Sequence, residues 1–75
     1  MDFNKRIVSD YKVMLGKPVI KGTRITVEQI LKKLSAGETV AAILKSYPHI
    51  TKADIMAAID YAASVISNEE MIDGK

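Results

Sequence analysis

Residues 16–31 read GKPVIKGTRITVEQIL, and within this stretch the sequence pattern changes from strand to helix. Before Thr26, short runs of β-branched residues alternate with the turn-forming residues 16–18 and 21–22, a pattern typical of short strands. From Thr26 onward, apolar residues recur every three or four positions, and Thr26 with Gln29 forms a capping box that marks a helix start. We therefore expect strands before Thr26 and helices after it.

The N-terminal part contains four short runs with strand signals. They are Ile7-Val8, Val13-Met14-Leu15, Val19-Ile20 and Thr23-Arg24-Ile25. Each run is shorter than a usual strand of about five or six residues, and an isolated two-stranded hairpin is only marginally stable in water. We therefore predict strands that pair outside the chain, with a second copy as the expected partner.

Two amphipathic helices are predicted after these strands. The first begins at Thr26 and ends at Gly37, because glycine tolerates the left-handed backbone that follows many helices. The second begins at Thr39 and ends before Pro48, because proline disfavours helical geometry at the residue preceding it. Both helices last only two or three turns.

A third helix is predicted to begin at Thr51, which forms a cap with Asp54, and to run to about Ile66 or Asn68. The predicted fold class is α+β, mainly α, with short N-terminal β-strands followed by a three-helix homeodomain-like (helix-turn-helix) bundle. A single domain is expected over residues 1–75. It divides into a β-strand arm (1–25), a trihelical core (26–67) and a flexible acidic tail (68–75).

The third helix has an unusually wide apolar face. One continuous half of its helical wheel consists of Ile55, Met56, Ala58, Ile59, Ala62, Ala63, Val65 and Ile66. A stripe of about 100° covers one neighbour, so this face is expected to pack on two. Both an intrachain core and a seam between two copies fit it. The polar face is predicted to hold Ala53, Asp54, Ala57, Asp60, Tyr61, Ser64, Ser67 and Asn68.

The composition excludes several classes of function. The chain has 75 residues, of which 48% are hydrophobic and 27% charged, with no Cys and one His. It therefore has no disulfide, no Cys/His metal centre and no thiol nucleophile, and we predict a non-enzymatic protein without a cofactor. A chain this short buries only about 60% of its unfolded surface, so a partner subunit is expected to add stability.

Targeting and membrane signals are also missing from the sequence. Residues 1–8 are charged and lack the apolar run of a signal peptide. No stretch approaches the roughly 18 apolar residues that a membrane span needs. We therefore expect a cytoplasmic protein without a membrane partner.

The charge is distributed unevenly along the chain. Residues 1–34 carry eight basic and three acidic residues, a net charge of +5, whereas residues 35–75 carry three basic and six acidic ones, a net charge of −3. A β-ribbon can track phosphates, so the basic half is the candidate nucleic-acid surface. Its candidate residues are Lys17, Lys21, Arg24, Lys32 and Lys33. The alternative interpretation is that lysines on short strands discourage edge pairing.

Direct base readout by the third helix is not expected. Its polar face carries Asp54 and Asp60, which repel phosphate, and has almost none of the Arg, Lys, Asn and Gln side chains that read base edges. Three other residues are candidate protein-partner contacts. They are Tyr61, because tyrosine is favoured at interfaces, and the apolar pair Met71 and Ile72 within the acidic tail. Ordinary partial burial of Tyr61 is the alternative.

The segment Gly16-Lys17-Pro18-Val19-Ile20-Lys21-Gly22-Thr23-Arg24-Ile25 resembles the signature of the family called domain of unknown function 433. Further matches are Ala36-Gly37, Tyr47-Pro48, Ile50-Thr51 and Tyr61-Ala62. The resemblance covers roughly Arg6 to Ala63. Within the signature, Gly16, Pro18 and Gly22 are interpreted as backbone residues that shape turns. The chain departs from the pattern at Thr26, where many members have Pro, and at Leu15, where Gly is common.

The resemblance implies a small dimeric α+β protein of the antitoxin kind, encoded beside a PIN-like ribonuclease toxin. The leading interpretation is thus a non-enzymatic antitoxin-like regulator that binds such a toxin, and promoter DNA, as a homodimer. A structural or adaptor homodimer without DNA binding is the alternative, and the acidic face of the third helix favours it.

Overall fold

The computed structural model describes residues 5–73, with side-chain placement through Ser67. Within that range, two short strands are followed by three helices, which confirms the predicted fold class. The elements are β1 (Ile7–Val8), β2 (Val19–Ile20), α1 (Val27–Ser35), α2 (Val40–Ser46) and α3 (Lys52–Asp73).

The two strands lie at two of the four predicted runs, but they pair with each other within the chain. The ladder is antiparallel and joins Ile7 to Ile20 and Val8 to Val19. Ile7 and Ile20 are buried in the same core as the helices. Packing against the helical core therefore stabilises a hairpin that would be marginal alone.

The predicted strand over residues 13–15 was wrong. The amide of Val13 donates to the Asp10 carbonyl at 2.7 Å, and residues 14–16 form a 3₁₀ turn. Met14, Leu15 and Gly16 have φ values of 52°, 57° and 86°, which place all three in the left-handed region. Leu15 is 75% exposed, so no packing partner holds this segment in an extended conformation.

The run over residues 23–25 forms a turn rather than a strand. The Ile20 carbonyl accepts from the Thr23 amide at 3.0 Å and from its hydroxyl at 2.8 Å. The same hydroxyl accepts from the Ile25 amide at 3.0 Å. The turn brings Thr26 alongside Val19, so the chain passes directly from β2 to the first helix.

All three predicted helix starts are confirmed by hydrogen bonds. Thr26 and Gln29 form a reciprocal capping box, with bonds of 3.0 and 2.8 Å. The Thr39 hydroxyl accepts from the Ala42 amide, which caps α2. Thr51 and Asp54 bond reciprocally in the same way at the start of α3. The breakers also act as predicted, since α1 ends before Gly37 at φ +93° and α2 ends before Pro48.

Helix α3 is longer than predicted, and its buried face includes one residue that was predicted to face outward. It continues to Asp73, because the residues after Asn68 include good helix formers and no Pro or Gly before Gly74. It is contacted by α1, α2 and β1, and Ile55, Ala57 and Ala58 are fully buried. The prediction that Ala57 faces outward was therefore wrong.

Candidate partner-binding groove

An open apolar groove of about 560 Å³ lies between α1 and the second half of α3. Val27 and Leu31 line it from α1, and Ala62, Val65 and Ile66 line it from α3. Its lining is almost entirely apolar, which suits the apolar face of a partner helix or loop better than a polar metabolite.

The groove runs along α1, because Val27 at its start and Ser35 at its end both line it. On the α3 side, the lining residues lie in the second half of the helix. These α3 side chains are only partly covered by α1. Val65 is 42% exposed and Ile66 is 57% exposed. We call residues 61–67 outer α3.

Ion pairs on one rim of the groove centre on Glu28. Its Oε1 accepts from Lys17 Nζ at 3.2 Å, and its Oε2 lies 3.7 Å from Lys32 Nζ. The Lys17 hydrogen bond and charge, followed by the Lys32 charge, lower the pKa of Glu28 below its ordinary value of 4.5. The carboxylate therefore stays ionised and offsets part of the positive charge that these two lysines bring to the rim.

The structure divides the five candidate nucleic-acid residues into two groups. Lys17 and Lys32 share Glu28, while Lys33 lies 3.5 Å from Glu38 and 5.4 Å from the Tyr47 ring centroid. The other two, Lys21 and Arg24, flank the turn after β2. Both are exposed, and neither has an ion pair within residues 5–73.

The motif residues Gly16, Pro18 and Gly22 have structural roles, which are evident from their dihedral angles and hydrogen bonds. Gly16 and Gly22 have φ values of +86° and +82°, a left-handed backbone that favours glycine. The Pro18 carbonyl accepts from the Val27 amide at 2.9 Å, which ties β2 to the start of α1, and Pro18 also lines the groove.

The candidate partner contacts lie at and beyond the groove. Tyr61 is half-buried, packs against the core and lines the groove, so it lies on the buried side of α3 rather than on the predicted polar face. The side chains of Met71 and Ile72 lie outside the described residues, although the α3 backbone extends through both.

Sequence reasoning did not identify the groove, although its signal was present. Leu31 belongs to the apolar face of α1, and Ala62, Val65 and Ile66 belong to the wide apolar face of α3. Locating the groove required knowing which part of that face α1 leaves uncovered.

Neither a metal site nor a membrane span is found in the described part of the chain. Residues 5–73 bring no group of three or more His, Asp or Glu side chains together to hold a metal ion. None of the helices in this range is long and apolar enough to cross a membrane.

Comparison with known proteins identifies relatives without an assigned activity. A sequence model of the family described as "Protein of unknown function (DUF433)" matches residues 7–62. An uncharacterised protein of Archaeoglobus fulgidus is 71% identical over 24 residues, which are 32% of this chain and 67% of that protein. No solved structure gives a significant match.

Proposed function

The chain belongs to the DUF433 family, and from this premise we propose that it is a non-enzymatic, antitoxin-like regulator that binds a PIN-like ribonuclease in the groove as a homodimer. The observation that supports a protein ligand is the apolar, solvent-accessible groove between α1 and outer α3. The choice of a ribonuclease rests on the resemblance of the signature segment to antitoxin-like members of the family.

The groove has the properties of a helix-binding site. Its floor combines β-branched and small side chains, such as Val65 and Ala62, that accept an apolar ridge at short distance. Helix-in-groove recognition places apolar residues at every third or fourth position into such a floor. The ionised Glu28 and its two lysines, at the rim, then supply charges that orient the bound segment.

Binding of promoter DNA, the second activity expected of an antitoxin-like regulator, has less support than binding of a protein. Three of the five candidate cations form ion pairs with two carboxylates of the same chain, which offsets part of their charge. Only Lys21 and Arg24 remain for phosphate, and two phosphate contacts give little affinity at physiological salt. These ion pairs favour the alternative of an adaptor homodimer that does not bind DNA.

Co-purification with a PIN-like ribonuclease from the same genome tests the protein ligand. The wild-type chain is expected to retain the ribonuclease and inhibit its RNA cleavage, whereas Val65→Glu loses both effects because it buries a charge in an apolar contact. Ala41→Glu is the matched control, since Ala41 is exposed on α2 and does not line the groove. Equal binding by wild type and Val65→Glu would remove the groove from the proposal.

A gel-shift titration with upstream DNA over a salt series tests the nucleic-acid part. Binding that weakens as salt rises and is lost in Lys21→Ala/Arg24→Ala would support a phosphate contact at the turn. Absence of binding at low salt would leave the protein-binding function alone.

A further inference from the structure

A second cavity lies where the turn after β1 meets the turn after β2. It has a volume of about 280 Å³ and shares no lining residue with the groove. Val8, Val13 and Val19 provide its apolar lining. The volume is just below the ~300–1,000 Å³ typical of sites for drug-sized ligands, so the cavity suits a single small ring system.

Two residues of opposite charge line this cavity without pairing with each other. Asp10 belongs to the turn after β1 and Arg24 to the turn after β2. Both are exposed, and among the described residues neither forms an ion pair. Asp10 Oδ1 accepts from the Lys12 amide at 2.9 Å, which leaves Oδ2 for a ligand. A ligand that fits here therefore offers hydrogen-bond donors to Asp10 and acceptors to Arg24.

The charge around the cavity favours an anionic ligand. Lys12 lies in the same turn as Asp10, and Lys21 lies in the same turn as Arg24. Both lysines are exposed, and neither has an ion pair within the part of the chain whose side chains are described. Three positive charges thus surround one negative charge. Because the cavity lining is mostly apolar, a fitting ligand combines a ring inside it with an anionic group outside it.

We propose that this cavity binds the unpaired guanine base of a nucleotide. Guanine presents two adjacent N–H donors on its Watson–Crick edge, which match the acceptors of the Asp10 carboxylate. Its O6 and N7 acceptors lie next to those donors and match the Arg24 guanidinium. The faces of the ring contact the three valines, and the phosphate outside the cavity is bound by Lys12 and Lys21.

The other bases match this pair of charges less well. Adenine has one amino donor, but the neighbouring ring nitrogen is an acceptor and repels a carboxylate. Cytosine also has one amino donor beside an acceptor, and uracil has a single N–H between two carbonyl groups. Each of them would leave part of Asp10 or Arg24 without a partner, and such a mismatch lowers affinity strongly.

The guanine nucleotide has two sources, a free nucleotide and a single-stranded nucleic acid. Tyr11 bears on this choice, because it follows Asp10 in the turn after β1 and is 76% exposed. An exposed aromatic ring beside a bound base can stack on the next base of a single strand. The inference goes beyond the proposed function, since it involves neither the ribonuclease groove nor duplex DNA.

Isothermal titration calorimetry of the full chain with GMP, AMP, CMP and UMP tests the base. GMP is expected to bind at least about tenfold more tightly than the other three, because only guanine satisfies both charged residues. Asp10→Asn should remove this preference, although its side-chain oxygen can still accept from the Lys12 amide. Equal affinity for the four nucleotides, or no saturable binding of GMP up to about 10 mM, would overturn the proposal.

A matched pair of variants separates a contact with the base from general charge attraction. Arg24→Ala is expected to weaken GMP binding about tenfold, because it removes a charge-assisted hydrogen-bond donor from the cavity. Lys45→Ala also removes one exposed cation, but from α2 and outside the cavity, and should change the affinity less than about twofold. Circular dichroism should show native helix content in both variants. Equal losses of affinity would overturn the contact with Arg24.

The single-stranded RNA UUGUU separates the two sources of the nucleotide. Binding at least about fivefold tighter than GMP, with the gain lost in Tyr11→Ala, would assign the cavity to a single strand. Affinity equal to that of GMP would assign it to a free nucleotide. The same RNA in a duplex hides the Watson–Crick edge of guanine and should bind at least about tenfold more weakly than the single strand. A duplex that binds as tightly would overturn the proposal, because phosphate contacts alone would then explain the binding.

Discussion

Residues 16–25 and outer α3 differ in how far their apolar side chains are buried. In residues 16–25, Val19 and Ile20 are buried in the core, and Thr23 uses its hydroxyl both as donor and as acceptor. In outer α3, Val65 and Ile66 remain about half exposed. The first segment buries these apolar side chains and bonds the Thr23 hydroxyl within the chain, whereas the second leaves apolar surface exposed.

This difference shows that a motif can be recognisable for its structural role. The glycines and proline of residues 16–25 set a turn and join β2 to α1, which the fold itself requires. Outer α3 has a plain sequence of Ala, Ser, Val and Ile after Tyr61, and only Tyr61-Ala62 belongs to the family resemblance. Its significance comes from its position beside α1, where it forms one wall of the groove.

The largest expected effect is the loss of stability when a core isoleucine is truncated, and an exposed isoleucine of outer α3 provides the comparison. Ile20→Ala should lower the free energy of unfolding by about 2–5 kcal/mol, because Ile20 is only 2% exposed and its loss leaves a cavity. Ile66→Ala, measured at a concentration where the chain is monomeric, should change it by less than about 0.5 kcal/mol. Urea unfolding followed by circular dichroism measures both values. Similar losses in the two variants would show that outer α3 belongs to the core.

An intermediate effect is expected at two left-handed positions near the motif. Leu15→Gly should raise the free energy of unfolding by about 1 kcal/mol, because Leu15 has φ 57° and is mostly exposed, so relief of strain exceeds lost packing.

Gly22→Ala makes the opposite change to Leu15→Gly, because it adds a Cβ at a left-handed position. It should lower the free energy of unfolding by about 1 kcal/mol, because Gly22 has φ +82° while no atom lies within 4 Å of an added Cβ. Thermal unfolding of both variants measures the pair. Two shifts of the same sign would contradict the assignment of both changes to backbone strain.

The smallest expected effect is the pH dependence that Glu28, at the groove rim, adds to the free energy of unfolding. Because Lys17 and Lys32 lower the pKa of Glu28 in the folded chain, the ionised carboxylate stabilises the fold above its ordinary pKa of 4.5. That contribution is lost as the pH falls through the lowered value. Between about pH 6 and about pH 3, wild type should therefore lose slightly more stability than Glu28→Gln.

A high salt concentration provides the control for the predicted difference in stability between wild type and Glu28→Gln. In about 1 M NaCl the difference between wild type and Glu28→Gln should shrink, because exposed ion pairs are screened. A difference that is unchanged by salt would indicate that the variant acts through packing instead of charge.

Local signals were predictable from the sequence because their partners lie within a few residues. Thr26 forms hydrogen bonds with Gln29, and Thr51 with Asp54, and these bonds do not depend on how the rest of the chain folds. The failed predictions depended on distant neighbours. Residues 13–15 looked like a strand but form a 3₁₀ turn, and Ala57 looked exposed but is buried where α1, α2 and β1 pack against α3.

The sequence by itself determined the change from strand to helix at Thr26, the three helix starts and the end of α2 before Pro48, because short-range sterics and capping bonds control these features. Only the tertiary structure decided which part of the wide apolar face of α3 is buried. That outcome depends on how α1, α2 and β1 pack against α3, and it leaves an apolar groove beside α1 in which Val65 and Ile66 stay partly exposed.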